Sequence, residues 1–252
     1  MAKLIALCDG HGMETAGKRT PLLPNGVVMR ENEFNRRVVA LLDVHLKRCG
    51  FRTLLVAQTD VDTPLRARTD AANAAKADLY LSVHANAFGA GGLNSVRGIE
   101  TFHRLGSVEG AKAAVTLHRS LLGGTKLPNR GVKTADFHVL RETRMPAVLV
   151  ECGFMTNVEE AALLRSEAYR VECAEELARG VCEYFGLPFV REAKTNPVEP
   201  AVKMDPKDAN HIIDSFVRPS RADALKKGDQ AGAAEAHRLA NELRKASGQP
   251  TQ

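Results

Sequence analysis

Short apolar runs alternate with amphipathic segments along the chain as far as Phe189. Runs of four or five residues, the length of buried strands, occur at Leu4–Leu7, Thr53–Ala57, Leu79–Val83, Gly98–Phe102 and Ala147–Val150. Segments with apolar residues at helical spacing occur at Phe34–Leu46, Pro64–Ala77, Ser107–Leu122 and Ser166–Phe185. The alternation predicts an α/β fold, with a twisted, mostly parallel or mixed sheet of about six strands flanked by helices.

A polar stretch with two prolines, Arg191–Pro200, interrupts this pattern and is typical of a linker. We therefore expect a main domain over residues 1–189, a linker over 190–203 and a small helical module over 204–252. The main domain is long enough for one hydrophobic core of its own.

The helical module should contain two short helices. Asp205 is a candidate N-cap for the first, followed by Pro206, and the second is predicted over Asp229–Ala246. One face of the first helix is apolar, and it carries Ala209, Ile212, Ile213, Phe216 and Val217. Two short helices bury little surface, so we expect the module to dock on the main domain, pair with a copy of itself, or bind a partner.

Composition narrows the class of protein. The chain is 44% hydrophobic and 26% charged, and it has no apolar run near the ~20 residues that a bilayer span needs, so we expect no membrane insertion.

The net charge is +5, but the excess of basic residues is spread evenly along the chain. Residues 190–252 hold 11 Lys+Arg against 9 Asp+Glu, and the rest holds 24 against 21. Without a dense basic stripe, no nucleic-acid partner is expected.

The N-terminus and the cysteines indicate a reducing compartment. The run Leu4–Leu7 is too short for a signal peptide, so we expect a protein made in the cytoplasm without one. The five cysteines are odd in number, and most lie in apolar stretches, which predicts core residues and no disulfides.

Three predicted strands lead directly into groups that can bind or activate a metal: His11, His84 and Glu151. Loops converge at the strand ends of an α/β sheet, so these groups are expected to meet there. Glu31, just before the first predicted helix, is a fourth candidate. A single histidine or helix-start acid usually has a structural role, but a carboxylate at the end of an apolar strand, such as Glu151, is costly without a partner.

Two histidines and one carboxylate are typical of a catalytic zinc site that keeps one position for water. Zinc would lower the pKa of that water and polarise a carbonyl. A second carboxylate would then take a proton from the water and deliver it to a departing amine. These parts fit the hydrolysis of an amide.

The same residues lie in four ordered motifs that resemble the zinc-dependent N-acetylmuramoyl-L-alanine amidases of bacteria and phages, the amidase-3 family. The motifs are residues 5–12, 31–35, 82–87 and 146–157, and the resemblance covers Lys3 to Leu187. It implies that His11, Glu31 and His84 bind one Zn²⁺ and that Glu151 is the catalytic carboxylate. Glu33 is the rival third ligand; Glu31 is favoured because the family's ligand lies four residues before the motif's asparagine, here Asn35.

The resemblance implies hydrolysis of the amide between N-acetylmuramic acid and L-alanine in peptidoglycan, with Glu151 as general base and then acid. The alternatives are a zinc peptidase acting within the stem peptides and a non-catalytic wall-binding protein. Residues 17–21 look like the phage branch of the family, which suggests a lysin that reaches the wall after release or lysis. The C-terminal module looks similar to extensions of some bacillus-type amidases, which suggests wall binding or self-association.

Other histidines and loops receive simpler interpretations. His103 and His138 are candidates to border the cleft, although structural roles are favoured for both. His45, His118, His211 and His237 fall within helical patterns and are expected to be solvated. The segment Leu65–Asn73 resembles the family's helix before the second histidine, and its arginine and asparagine are expected to shape the sheet edge. The glycine-rich stretches Phe88–Val96 and Gly123–Lys133 are expected to be loops, either shaping a groove or simply connecting elements.

Overall fold

A mixed sheet lies at the centre of the first part of the chain, in a computed structural model that describes residues 2–191 and 204–251. In the described residues it has six strands, in the order β2-β1-β3-β6-β4-β5. Strands β1, β2, β3 and β6 run parallel, β4 is antiparallel to β6, and β5 is parallel to β4. The strands are β1 Leu4–Cys8, β2 Arg52–Leu55, β3 Leu79–Asn86, β4 Ile99–His103, β5 Asn129–Thr134 and β6 Ala147–Phe154.

Helices cover both faces of this sheet, unequally. The helices are α1 Glu31–Arg48, α2 Leu65–Ala74, α3 Val108–Thr125, α4 His138–Arg141, α5 Val158–Arg165 and α6 Glu167–Tyr184. Helices α1, α3 and α6 pack on one face and contribute to the larger apolar core, whereas α2 and α4 contribute to a smaller core on the other. The predicted α/β fold with a mixed sheet of six strands flanked by helices is confirmed.

Alternation along the central strands decides which side chains face the thinner helical layer. In β3 and β6, Val83 and Val150 belong to the larger core, whereas Tyr80 and Leu149 belong to the smaller one. With a side-chain period of two, His84 and Glu151 point to the same face as Tyr80 and Leu149. Because α2 has 10 residues and α4 only 4, they leave the carboxyl ends of these strands uncovered.

Two expectations for the region around β4 were wrong. The stretch Gly123–Lys133 is not a loop, because its first residues complete α3 and residues from Asn129 onward form β5. As an edge strand with polar side chains, β5 has no apolar run to reveal it. His118 is buried rather than solvated: its ring nitrogens lie 2.9 Å from Thr101 Oγ1 and 2.9 Å from Asn129 Oδ1. These partners come from β4 and β5, which the helical pattern of α3 alone does not show.

The chain consists of two compact units, Met1–Arg191 and Glu192–Gln252. Of the predicted linker, 190–203, all but Val190 and Arg191 lie outside the described residues. None of the helices described in either unit is both long and apolar enough to cross a bilayer.

The second unit contains α7 Pro206–Ile212, a π-helical turn Ile213–Val217, α8 Arg218–Lys226 and α9 Gln230–Ala246. Asp205 caps α7, and its Oδ1 accepts a hydrogen bond of 2.7 Å from Lys207 N. The second helix is confirmed, with Asp229 as its N-cap, whereas the first is longer than expected because it continues through the π turn as far as Lys226. Phe216 was expected on the apolar face but lies within the π turn and is 65% exposed.

Candidate metal centre

Three of the predicted site residues meet at the carboxyl ends of β1 and β3. One ligand atom from each of His11, Glu31 and His84 lies within 4.8 Å of the others. Glu31 is between the two histidines, with Oε1 at 2.9 Å from His84 Nδ1 and Oε2 at 3.6 Å from His11 Nε2. The imidazole rings are 5.2 Å apart between centroids and inclined at 78°. The spacing allows all three groups to contact one small cation.

A tight turn after β1 brings His11 over the sheet. Gly10 has φ +68°, and a Cβ atom there would come within 2.6 Å of Asn35 Nδ2 and 2.7 Å of His84 Cε1. Only glycine fits this close approach without strain. The turn therefore carries the chain directly over β3 and directs the imidazole of His11 toward that of His84.

Two buried polar side chains hold this turn in place. The Asn32 side-chain amide donates to Asp9 O at 2.8 Å and also to His11 O. The Arg68 guanidinium donates to Gly10 O and is 3% exposed. Arg68 thus shapes the sheet edge, as expected for the arginines of this segment, and contributes to the site through the backbone of the turn.

Glu31 is the first residue of α1 and is 2% exposed. Burial by itself would raise its pKa, but the hydrogen bond and positive charge of His84, with the charge of His11, lower the pKa to about 2. Asn35 Nδ2 donates to Oε1 at 3.2 Å and fixes the carboxylate. The rival ligand, Glu33, is exposed, and its Oε1 accepts a hydrogen bond from Arg30 N at 2.8 Å. The structure thus brings Glu31 to the histidines and Glu33 to the start of the helix.

The surroundings of His11 favour its neutral form. Burial, opposed by the charge of Glu31 and reinforced by that of His84, lowers the pKa of His11 from 6.5 to about 4. Neutral imidazole is the form that binds a metal. The other ring nitrogen of His84, Nε2, lies 3.0 Å from Ser82 Oγ. A partner of this kind fixes the tautomer and orientation of a metal-binding imidazole.

Glu151 lies beside this cluster on β6, directly opposite His84 in the strand register. Its side chain is half-buried, and Oε2 is fully buried without a hydrogen-bond partner in the described part of the chain. Burial raises the pKa of Glu151 well above its usual range, and the negative charge of Glu31 raises it further. A buried carboxylate oxygen without a hydrogen-bond partner is costly. Its burial indicates that a bound group from outside the chain interacts with this oxygen.

A second acid, Glu100, was missed by the sequence analysis. It lies on β4 directly opposite Glu151 and is 6% exposed. Its Oε1 accepts hydrogen bonds of 2.7 Å from Arg130 Nε and 2.5 Å from Lys133 Nζ. Burial alone would raise its pKa, but these two cations lower it. The only sequence signal was one charged residue inside an apolar strand, which did not indicate its basic partners on β5.

The cluster opens into a cleft of about 560 Å³, which is lined by residues of β3, β6, α2, α4 and the loop after β1. His11, Glu31, His84 and Glu151 all contribute to its lining, together with Lys18, Leu65, Phe137 and His138. His138 therefore borders the cleft, which was one of the two positions considered for it from the sequence. His103 is not part of the lining, and its Nδ1 lies 2.9 Å from Arg104 O instead.

The donor set fits zinc. Two imidazole nitrogens and one carboxylate oxygen are ligands that catalytic zinc sites use, with a position left for water. Glu151, with its buried and unpartnered oxygen, adds a second carboxylate opposite His84 in the sheet. The residues present therefore fit a zinc ligand set with a further carboxylate next to it.

A family model described as N-acetylmuramoyl-L-alanine amidase matches residues 5–183. The endolysin of Bacillus phage SPP1 is 36% identical over 194 residues, which covers 74% of this chain and 68% of the endolysin. The N-acetylmuramoyl-L-alanine amidase LytC of Bacillus subtilis is 30% identical over 187 residues, 73% of this chain but only 36% of LytC.

Solved structures show the same architecture. An N-acetylmuramoyl-L-alanine amidase from Clostridium difficile 630 superposes with a TM-score of 0.67 at 30% identity, covering 73% of this chain and 97% of that one. The catalytic domain of CwlV, from Bacillus (Paenibacillus) polymyxa, has a TM-score of 0.66 at 29% identity and covers 74% and 99%. The matched family region lies within the first compact unit.

Proposed function

The chain belongs to the N-acetylmuramoyl-L-alanine amidase family, and we propose that it cuts the amide bond between N-acetylmuramic acid and L-alanine with zinc held by His11, Glu31 and His84. As a member of this family it is a hydrolase of peptidoglycan. The observation that carries the finer proposal is the meeting of three ligand atoms within 4.8 Å of one another beside the unpartnered Glu151.

Each ligand side chain has its own role. His84 offers Nδ1 to the cation, while its Nε2 carries the ring proton toward Ser82 Oγ. His11 offers Nε2, and Glu31 offers an ionised carboxylate that Asn35 orients. When bound here, zinc supplies Lewis-acid chemistry: it polarises the scissile carbonyl and favours the deprotonation of water.

Glu151 moves the proton. Its raised pKa makes it a stronger base than an ordinary glutamate, so it can accept a proton from the attacking water and hold it for return. As the C–N bond breaks, Glu151 delivers that proton to the departing nitrogen of L-alanine. The products are a lactyl carboxylate on the sugar and a peptide with a free amino group.

Two alternatives carry less support. A zinc peptidase acting within the stem peptides would use the same ligands, but the family model and the relatives are amidases. A non-catalytic wall-binding protein would not require a buried catalytic carboxylate beside a ligand set. The bacterial wall is the proposed place of action, in keeping with similarity to an endolysin. Wall binding or self-association through residues 204–252 stays a prediction.

Digestion of purified peptidoglycan, with and without a chelator, tests this proposal. The released fragments should be intact stem peptides with a free L-alanine amino group, and the chelator should prevent their release. Mass spectrometry of the fragments separates the activities, because a stem peptidase would leave L-alanine attached to the sugar. Finding only such muropeptides would overturn the proposed bond.

A further inference from the structure

We infer that a second groove, next to the metal centre, binds the peptide stem of peptidoglycan through its carboxylates, with Arg19 and Arg30 as the anion-binding pair. The inference rests on the proposed function and specifies where its substrate lies. The groove has a volume of about 720 Å³ and shares Gly17 and Ala87 with the cleft over the metal ligands. A substrate can therefore extend from one into the other without leaving the surface. We call it the stem groove.

One wall of the stem groove is a hairpin-like arm, residues 18–31. Backbone hydrogen bonds join Glu31 N to Lys18 O at 2.9 Å, Thr20 N to Met29 O at 2.8 Å and Leu23 N to Val27 O at 3.0 Å. The inner side chains Thr20, Leu23 and Met29 are buried and attach the arm to the domain, whereas the groove is lined by its exposed residues Arg19, Leu22, Val28 and Arg30. The arm is thus a fixed wall that ends at a metal ligand.

Arg19 and Arg30 are directly opposite each other in the antiparallel bridge of this arm. Like charges in this arrangement repel and destabilise the pair. Neither guanidinium has a carboxylate partner in the part of the chain that the structure describes, whereas exposed Arg37, Arg97 and Arg119 each form an ion pair. An anion in the groove would relieve the repulsion between Arg19 and Arg30.

The remaining charges of the stem groove do not neutralise this pair. Glu33 is the one acid among the described groove residues, and its Oε1 accepts a hydrogen bond from the backbone of Arg30. Lys18, at the base of the arm, lines the adjoining cleft and adds a further positive charge. The arm therefore presents a positive edge, and arginine is suited to binding carboxylates with two parallel hydrogen bonds.

Other lining residues of the stem groove and of the cleft over the metal ligands indicate which part of the substrate each would hold. Ala87, Gly89 and Gly91 form the opposite wall, so an extended peptide can approach the backbone there. The cleft over the metal ligands is also lined by two exposed apolar side chains, Leu65 and Phe137. Neutral sugar suits these side chains and the anionic peptide suits the stem groove, so the scissile amide would lie between them, over the metal ligands.

Kinetics with three synthetic muramyl tripeptides test the inference: one with free carboxyls, one amidated at the D-glutamyl α-carboxyl and one amidated at the C-terminus. For the unmodified protein, at least one amidation should raise KM about tenfold, the scale of a lost charge-assisted hydrogen bond. The double variant Arg19→Gln/Arg30→Gln should lose this preference, through a higher KM for the free acid. The control Arg97→Gln/Arg119→Gln, which removes the same two positive charges from exposed ion pairs outside both grooves, should keep it.

Each result has a distinct meaning. Unchanged discrimination in the double variant, or none in the unmodified protein, would overturn the stem groove while leaving the amidase intact. Absence of muramyl-amide hydrolysis by the unmodified protein would overturn the proposed function instead. Zinc content and thermal unfolding of the double variant show whether its fold and metal site are preserved.

Discussion

His84 and Glu151 lie directly opposite each other on the neighbouring parallel strands β3 and β6. Their relative position is therefore set by backbone hydrogen bonding in the middle of the sheet. A slip of one residue between these strands would send Glu151 to the opposite face, into the core of α1, α3 and α6. The sheet register thus places the proposed proton carrier beside a proposed metal ligand.

Replacing Glu151 with glutamine should lower the rate of hydrolysis about 10²- to 10⁴-fold, because the proton carrier is lost while the shape of the site is kept. The metal should remain at about one zinc per chain, since Glu151 is not a proposed ligand. Fragment release and elemental analysis measure the two quantities. Glu159→Gln on α5, an exposed glutamate paired with Arg97, is the matched control. Equal activity of the Glu151→Gln variant would remove this residue from the mechanism.

Glu31→Gln and Glu33→Gln should behave differently although they lie two residues apart. The first removes a charged ligand from the cluster, so zinc content and activity should both fall steeply. The second removes a charge but keeps an acceptor oxygen for Arg30 N, so it should cost about 1 kcal/mol or less of stability and leave zinc bound. Zinc analysis with urea unfolding distinguishes them. Loss of zinc from Glu33→Gln alone would reverse the ligand assignment.

Ser82→Ala should weaken zinc binding about 10- to 100-fold without removing a ligand, because Ser82 Oγ lies 3.0 Å from His84 Nε2 and orients the ring. Competition with a chromophoric chelator measures this affinity. Ser120→Ala provides the control. The Ser120 hydroxyl donates to Glu176 O at 2.7 Å, between α3 and α6 and away from the proposed ligands. The same affinity in both variants would show that Ser82 does not orient His84.

Removing the metal should stop hydrolysis but leave the sheet folded, because the larger apolar core of α1, α3 and α6 contains none of the proposed ligands. Circular dichroism should change little, the melting temperature should fall because a bound ligand stabilises the native state, and added zinc should restore activity. Unfolding of the metal-free protein at room temperature would show that the metal is required for the fold.

In the metal-free protein, His11 should contribute a loss of stability as the pH falls from about 7 to about 4, opposed by Glu151, whose raised pKa favours the folded state in acid. The pKa of His11 drops from 6.5 to about 4 on folding, so the unfolded chain takes up this proton first and acid favours unfolding, by at most about 1.4 kcal/mol per pH unit. Glu31, with a pKa lowered to about 2, acts in the same direction below about pH 4.5. Urea unfolding at several pH values measures the slope, which should be shallower in His11→Asn. An equal slope in both proteins would contradict the account of His11.

The parts of the site that could be predicted from the sequence are those carried by regular strands. His84 and Glu151 follow apolar runs, and the carboxyl ends of parallel strands meet at one edge, so their proximity follows from the pattern. Glu31 required the motif as well, because nothing in its own polar segment shows that α1 begins there. Their chemical roles remain proposals that the variants above test.

Other features depend on pairing that no local pattern reveals. Glu100 is neutralised by Arg130 and Lys133, which come from a polar edge strand that has no apolar run. The helical pattern predicts a solvated His118, because the buried partners of its ring belong to β4 and β5. Arg19 and Arg30 pair across an antiparallel bridge because the chain turns back on itself in an irregular segment. In each case the deciding contact is distant in the sequence, and residue type alone does not identify it.

The hydrogen bond from Glu31 N to Lys18 O closes the arm at its base. Insertions or exchanges at the exposed tip of the arm, residues 24–26, can therefore be absorbed while the carboxylate that follows the arm keeps its place. A protein engineer can vary this tip and the exposed positions of the arm, provided that the buried residues Thr20, Leu23 and Met29 stay unchanged. If the stem groove binds the peptide as proposed, variants with new peptide preferences would then be obtained by changing the exposed arm residues on an unchanged scaffold.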